Sequence, residues 1–154
     1  MRLTVIAVGR LKERFWREAA DEYLKRLVPY ATVRVVEVDE HDSGRDQHRA
    51  LAEEGADVLR AIPNGAHVIA LEIQGKQASS EAFAARLGEL ALDGRSNVAF
   101  VVGGSVGLSE EVSKRADERL SLGAMTLPHN LARVVLLEQV YRAFRINRGE
   151  PYHK

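Results

Sequence analysis

The sequence contains no cysteine among its 154 residues. This absence excludes disulfides, zinc–thiolate sites, iron–sulfur clusters and a cysteine nucleophile. No apolar run reaches the ~20 residues that cross a bilayer as a helix, and the first residues lack the layout of a signal peptide. The net charge is zero and gives no sign of a nucleic-acid binder. We therefore expect a cytoplasmic protein with one domain over residues 1–154.

Strands and helices are predicted to alternate along the chain. Apolar runs of strand length recur between segments whose apolar residues have helical spacing. The predicted strands are 3–8, 32–38, 67–73 and 97–102, with AMTL at 124–127 as a short fifth strand. The predicted helices are 13–27, 46–62, one capped by Ser80, one capped by Ser109 and ending near 119, and 131–146. Because the central strands are continuous apolar runs, we predict an α/β fold, with a mostly parallel sheet and helices on both faces.

Residues 100–112, FVVGGSVGLSEEV, have the outline of a strand, a tight glycine-rich loop and a helix start. The dinucleotide fingerprint GxGxxG needs a glycine where Ser105 stands, and the P-loop needs a lysine after Gly107. Glu110 and Glu111 suit the helix dipole, but they would repel a bound polyphosphate. Two interpretations stay open: a turn that merely needs glycine, or a ligand without phosphate that backbone groups hold. S-adenosylmethionine, with its adenine and its sulfonium cation, fits the second interpretation.

Several stretches of the sequence together resemble one family of enzymes. They are LPHNLARVVLLEQVYRAFRINRGEPYHK at 127–154, LDGR at 92–95, the glycine-rich stretch and the start LTVIAVGRLK. In order and spacing they resemble RlmH-type rRNA methyltransferases of the SPOUT class, over nearly the whole chain. The resemblance implies an α/β knot, in which the C-terminal chain threads a loop, and a homodimer. It also implies methyl transfer from S-adenosylmethionine to ring nitrogen 3 of a pseudouridine in large-subunit (23S) rRNA within the assembled ribosome.

The resemblance also implies a cofactor site built from three pieces of this chain. The implied cofactor-binding residues are Leu71, Gly103, Leu122, Gly123, Ala124, Met125, Thr126 and Leu127. In that interpretation the side chains line the pocket for adenine and methionine, and backbone groups of 122–127 supply polar contacts. The alternative is that Leu71 and Leu122 are ordinary core residues and that Met125 fills a gap in the core.

The C-terminal residues are the implied catalytic groups. His153 has an ordinary pKa of about 6.5 and could handle the proton that leaves the target nitrogen. Tyr152 could stack on the base or hydrogen-bond to it, and Arg142 could stabilise a developing negative oxygen or hold a phosphate. The alternative is a frayed terminus without a role. In the family interpretation the tail orders over the cofactor when substrate binds.

Basic residues near both ends of the chain are candidate contacts for rRNA phosphates. In the tail they are Arg145, Arg148 and Lys154, and near the N-terminus they are Arg10, Lys12, Arg14 and Arg17. The alternative is that both groups are solvated helix surfaces or helix ends. His41, with acidic neighbours at 39, 40 and 42, resembles a metal site only superficially, so no metal is expected. His129, after Pro128, is expected to fix the turn.

Three rival functions differ in the sequence features they need. A non-catalytic ribosome-binding factor would have a broken cofactor loop or a lost tail, and this sequence keeps both. A nucleotide-dependent oxidoreductase would need a phosphate cradle, which is not found. A related knotted enzyme could instead methylate another RNA nucleotide. Because no separate RNA-binding domain is evident, we expect a substrate that supplies much of the recognition, such as a preassembled ribosome.

Overall fold

The computed structural model describes residues 1–41, 44 and 46–152, and in these residues strands alternate with helices. The strands are β1 (Arg2–Val8), β2 (Thr32–Val38), β3 (His67–Gln77), β4 (Asn97–Val102) and β5 (Glu118–Ser121). The helices are α1 (Arg14–Leu27), α2 (Gln47–Ala61), α3 (Ser80–Leu92), α4 (Glu110–Arg115) and α5 (His129–Asn147). In the part of the chain described, no helix is long and apolar enough to cross a membrane.

The five strands form one sheet in the order β2-β1-β4-β3-β5, and every neighbouring pair is parallel. The predicted parallel sheet is therefore confirmed. Since all the strands run in the same direction, their carboxyl ends lie at one edge of the sheet. That edge is where open parallel sheets usually bind their ligands.

The two faces of the sheet are covered by different helices, as predicted. Leu3 and Val5 of β1, with Phe100 of β4, belong to a core that includes residues of α1, α3 and α5. Ile6 and Val8, which point to the other face, belong to a second core that includes residues of α2 and α4. This alternation follows from the two-residue period of a strand, and burial on both faces explains the continuous apolar runs.

The fifth strand was predicted in the wrong place. Residues 118–121, ERLS, pair with β3, whereas residues 124–127 form a loop. The helix that begins after Ser109 therefore ends at Arg115, short of the predicted end near 119. Glu118 is held from two sides: His67 Nε2 lies 2.7 Å from its carboxylate oxygen, and Arg86 Nε donates to it at 2.8 Å. These contacts stabilise β5 as an edge strand, although its charged sequence does not predict a strand.

Two other predicted boundaries also differ from the structure. Strand β3 continues to Gln77, with an irregularity between Leu71 and Lys76, instead of ending at 73. Gly75 permits this because a Cβ there would lie 2.7 Å from the backbone carbon of Arg119. Helix α3 is capped by Ser79, whose side chain accepts a hydrogen bond from the Ala82 amide, and not by Ser80.

Helices α2 and α4 approach each other closely at a glycine. A Cβ on Gly55 would lie 2.2 Å from Ser109 Oγ. Ser109 is the N-cap of α4, as predicted, because its hydroxyl accepts a hydrogen bond from the Val112 amide at 3.3 Å. Gly55 therefore lets α2 pack against the start of the helix that follows the glycine-rich stretch.

Candidate functional site

A cavity opens toward the carboxyl edge of the sheet, and residues of β3, β4 and β5 contribute to its lining. Most of the residues that the resemblance assigns to the cofactor line it, namely Leu71, Gly103, Leu122, Gly123, Met125, Thr126 and Leu127. Ala124 is not among the lining residues. Apolar side chains of Val102 and Leu120 complete the walls, together with His129 at the start of α5. Three segments that are distant in sequence thus meet at one place.

Glycines make one wall of this cavity a tight turn. A Cβ on Gly103 would lie 2.6 Å from the carbonyl oxygen of Gly107. The Gly107 amide donates to the Gly104 carbonyl at 3.1 Å, and Gly107 has a φ of +83°. The turn therefore requires glycine at both 103 and 107, because a side chain would clash at the first and be strained at the second.

The loop after β5 forms the opposite wall. The Ser121 hydroxyl donates to the Gly123 carbonyl at 3.0 Å and accepts from the Gly123 amide at 3.2 Å, which fixes the start of the loop. Among the described residues, the backbone amides of 124–127 donate no hydrogen bond to another protein group. They remain available to a ligand with acceptor atoms.

The rim of the cavity is apolar and open to solvent. Met125 is 85% exposed and Ile73 is 50% exposed. Met125 is therefore not a filler of the core, which was the alternative to a role in binding. Leu71 is half-buried and both packs against the larger core and lines the cavity, so the two interpretations of this residue are compatible.

Arg142 and Tyr152, two of the predicted catalytic residues, lie together, away from His129, the first residue of α5. The Tyr152 hydroxyl donates to Glu138 Oε1 at 3.0 Å, and Arg142 Nε donates to the same oxygen at 2.9 Å. The Arg142 guanidinium lies 4.6 Å from the centre of the Tyr152 ring, and the Tyr141 ring packs against that ring at 4.9 Å. Tyr152 is thus packed on α5 and is not part of a frayed end.

Arg142 and Tyr152 lie far from the cavity of the same chain. Helix α5 begins at His129 beside the cavity, and Arg142 lies 13 residues further along it. At 1.5 Å per residue this separation is about 20 Å. The structure therefore brings Arg142 and Tyr152 to each other but not to this cavity of their own chain. His153 and Lys154 lie outside the described residues.

Arg145 and Arg148 contact groups of their own chain. Arg145 pairs with Glu150, and it donates to the Tyr30 hydroxyl at 3.0 Å and to the Pro151 carbonyl at 3.1 Å. The Arg148 guanidinium lies 4.5 Å from the centre of the Tyr30 ring. These contacts fix the course of the chain after α5, so Arg145 would have to exchange partners to hold a phosphate.

The N-terminal basic residues do not form one patch of equivalent cations. Arg17 donates to the carbonyls of Leu11 and Lys12, and Arg14 pairs with Glu18 on α1. Arg10 and Lys12 are exposed and line a separate polar cavity beside His129.

His41 connects the loop after β2 to α2. Its ring nitrogens lie 2.9 Å from Glu53 and 3.1 Å from Asp57, and the Asp57 hydrogen bond raises the His41 pKa. Asp42 lies outside the described residues. Where side chains are described, no group of three or more His, Asp or Glu is placed to hold a metal ion.

We expect the Tyr152 phenol to ionise only near pH 12. Burial, and then the hydrogen bond to Glu138, raise its pKa from 10 to about 12. Because the pKa is raised only in the folded protein, keeping Tyr152 protonated stabilises the fold. This stabilisation is complete below pH 10 and is lost as the pH rises from 10 to 12. Ultraviolet titration of wild type minus Tyr152→Phe should show a step near pH 12, which Glu138→Gln shifts toward 10. A step near pH 10 in the wild-type minus Tyr152→Phe difference would contradict the contact.

Comparison with known proteins gives a consistent result over the whole chain. A family model described as "Predicted SPOUT methyltransferase" matches residues 1–153. Proteins named ribosomal RNA large subunit methyltransferase H are 54% identical to the chain, for example those of Listeria welshimeri serovar 6b and Bacillus thuringiensis strain Al Hakam. Each alignment covers 100% of both sequences.

A solved structure supports the fold independently of close sequence similarity. The crystal structure of TrmJ from Z. mobilis ZM4 superimposes with a TM-score of 0.58 at 14% identity. The match covers 100% of this chain and 73% of the other. At this identity the likeness concerns the fold alone.

Proposed function

The chain belongs to the SPOUT methyltransferase family, and we propose that it methylates ring nitrogen 3 of a pseudouridine in large-subunit rRNA within the assembled ribosome. The observation that carries the proposal is the cavity in which the glycine turn and the loop 122–127 face each other, in a chain 54% identical to named large-subunit rRNA methyltransferases. S-adenosylmethionine is the proposed methyl donor.

The residues of the cavity fit that cofactor. Apolar side chains of Leu71, Leu122 and Leu127 offer surface to an adenine ring and to the aliphatic part of a methionine group. The amides of 124–127 offer donors to ring nitrogens, and the absence of a Cβ on Gly103 lets the backbone of Gly107 close the wall of the cavity. When bound, S-adenosylmethionine supplies an activated methyl group on its sulfonium sulfur. We assign the cofactor contacts to these residues, with Met125 and Thr126 at the rim.

The target nitrogen carries a proton between two carbonyl groups, so it is a poor nucleophile until that proton leaves. We assign to His153 the role of accepting this proton, because a histidine titrates near neutral pH. Arg142 would stabilise the negative charge that develops on a ring oxygen, and Tyr152 would position the base by stacking or by a hydrogen bond. The walls of the cavity would hold the reacting atoms in line.

The distance between tail and cavity leads to a homodimeric arrangement of the site. Because Arg142 lies about 20 Å from the cavity along α5, its own chain cannot place it beside the methyl group. A second copy of the chain would bring its tail to the cavity and would cover Ile73 and Met125 at the apolar rim. We therefore propose that one subunit binds the cofactor and the other supplies Arg142, Tyr152 and His153.

Recognition of rRNA would use the cations around such a site. We assign phosphate contacts to Arg148 and Lys154, and to Arg145 after it exchanges its present partners. We propose that this chemistry takes place in the cytoplasm, on ribosomes. The C-terminal knot that it implies stays part of the proposal.

We expect the protein to transfer label from S-adenosylmethionine to assembled ribosomes that lack the modification. Separated subunits and free rRNA serve as parallel substrates, and mass spectrometry of nucleosides identifies the product. Methylpseudouridine formed in assembled ribosomes supports the proposal. A different methylated nucleoside would assign another target, and cofactor binding without transfer to any of the substrates would contradict the rRNA function.

The same assay tests His153. His153→Ala should retain cofactor binding and lose at least about a hundredfold in transfer rate, in line with general acid–base catalysis. His48→Ala is the control, because His48 is an exposed residue on α2. Equal rates for the two variants would remove His153 from the mechanism.

A further inference from the structure

A carboxylate outside the cavity contacts the glycine turn that forms its wall. Glu40 follows β2 in the chain and does not line the cavity. Its Oε1 accepts a hydrogen bond from Ser105 Oγ at 2.7 Å and a longer one from the Ser105 amide at 3.4 Å. Ser105 lies between Gly104 and Gly107, which close the turn. Glu40 therefore contacts the turn without lining the cavity.

Two glycines lie close to this carboxylate. A Cβ on Gly104 would lie 3.3 Å from Glu40 Oε1, and a Cβ on Gly9 would lie 3.5 Å from Glu40 Oε2. Gly9 follows β1 and Gly104 follows β4, which are neighbouring strands of the sheet. The carboxylate thus lies between the carboxyl ends of two central strands and connects the loop after β2 to both.

The segment that carries Glu40 is itself fixed to α2. The His41 amide donates to Glu54 Oε2 at 2.8 Å, and the His41 ring contacts Asp57. Glu54 is only 1% exposed, so this anchor is buried. The backbone next to Glu40 is therefore fixed to α2. Because of this, the hydrogen bond between Glu40 and Ser105 can restrict the conformation of the turn.

Charge favours the same arrangement. The hydrogen bond from Ser105 lowers the pKa of Glu40, against the opposing effect of burial, and the nearby His129 and Lys12 lower it further. The carboxylate is therefore ionised at neutral pH. Hydrogen bonds to an ionised acceptor are stronger than neutral ones.

We propose that Glu40 is a positioning residue that holds the turn 103–107 in the shape that receives the cofactor. The inference rests on the proposed function for the identity of the cofactor. Glu40 acts through Ser105 and touches neither cofactor nor substrate. Without this contact, the turn would sample other conformations. The free energy needed to order it would then reduce the affinity for the cofactor.

The test measures the turn and the cofactor separately in the full-length protein. Hydrogen exchange of the Ser105 and Gly107 amides reports the turn without any ligand, and calorimetry reports the dissociation constant of S-adenosylmethionine. Glu40→Ala should speed exchange and weaken binding about three- to tenfold, a range that allows for the exposure of Glu40. Glu40→Gln, which keeps a neutral acceptor for Ser105, should recover part of the affinity.

Two further variants make the result specific. Ser105→Ala removes the shorter of the two hydrogen bonds and should also weaken binding, and the double variant should be no weaker than Glu40→Ala alone, because that variant already removes both. Asp39→Asn removes an equal charge from the neighbouring residue and should leave exchange and affinity unchanged. Melting temperatures close to wild type would exclude a general loss of structure.

Failure of this inference differs from failure of the proposed function. If wild type binds S-adenosylmethionine and Glu40→Ala binds it equally well, Glu40 positions nothing and the proposed function stands. Unchanged amide exchange in Glu40→Ala would overturn the inference whatever the affinity. If wild type does not bind the cofactor, the proposed function fails, and the cofactor role of Glu40 is overturned with it.

Discussion

Replacing Gly103 with alanine is expected to lower methyl transfer by about a hundredfold at low cofactor concentration. The added Cβ would lie 2.6 Å from the Gly107 oxygen and 2.8 Å from its carbonyl carbon, and both atoms belong to the backbone. Gly107 has a φ of +83° and a hydrogen bond to Gly104, so the turn cannot yield cheaply. A shift of about 1 Å in a binding wall can cost about a hundredfold in rate. The dissociation constant of S-adenosylmethionine should rise with the loss of activity.

Gly88→Ala is the matched control for this change. A Cβ on Gly88, inside α3, would lie 3.5 Å from Asn147 Nδ2, an ordinary contact distance. Alanine also favours a helix interior over glycine. We expect wild-type transfer and an equal or higher melting temperature. If Gly103→Ala binds cofactor as tightly as Gly88→Ala, cofactor binding does not depend on the shape of this turn, and the role assigned to Gly103 is wrong.

The fold could be predicted where burial leaves a simple pattern. Strands β1 and β4 are covered on both faces, so their sequences are continuous apolar runs that indicate a parallel sheet. Strand β5 gives no such pattern, because ERLS carries two charged side chains and depends on partners such as Arg86. The stretch AMTL at 124–127 is apolar although it forms no strand. Its Met125 lies exposed at the rim of the cavity.

The candidate site could be predicted only in part. The resemblance gave Gly103 and the loop 122–127, and the structure places them in one cavity, although their role in binding stays a proposal. Glu40 was missed because its partner Ser105 is 65 positions away, and no local spacing joins the two residues. Pairings of this kind depend on which strand ends become neighbours, and a single sequence does not reveal that order.

The burial of Arg133 could not be predicted from the sequence either. In the sequence Arg133 begins the segment 133–154, which carries five Arg and Lys against two Glu. In the structure Arg133 is only 4% exposed. Its guanidinium donates to Glu37 Oε2 at 2.7 Å and to the Gly9 carbonyl at 2.9 Å. These contacts connect the first turns of α5 to the ends of β1 and β2. The charge is therefore used inside the fold and is not available to a phosphate.

Arg133→Met is expected to lower the free energy of unfolding by about 2–3 kcal/mol. Removing one partner of a buried ion pair leaves the other groups unpaired, which costs roughly 3–5 kcal/mol, and we reduce that range because the Glu37 side chain is 35% exposed. For a chain of this size, the melting temperature should fall by roughly 5–10 °C. Because α5 begins with His129 at the cavity, cofactor affinity should fall as well.

Two further variants separate the ion pair from the loss of a positive charge. Arg34→Met removes an exposed arginine from β2 and should leave the melting temperature within about 2 °C of wild type, as surface changes usually do. Arg133→Met combined with Glu37→Gln should recover part of the lost stability, because no unpaired carboxylate remains. If Arg133→Met melts like Arg34→Met, the pair adds nothing to stability, and the placement of α5 over the cavity must depend on apolar packing by Leu136 and Leu137.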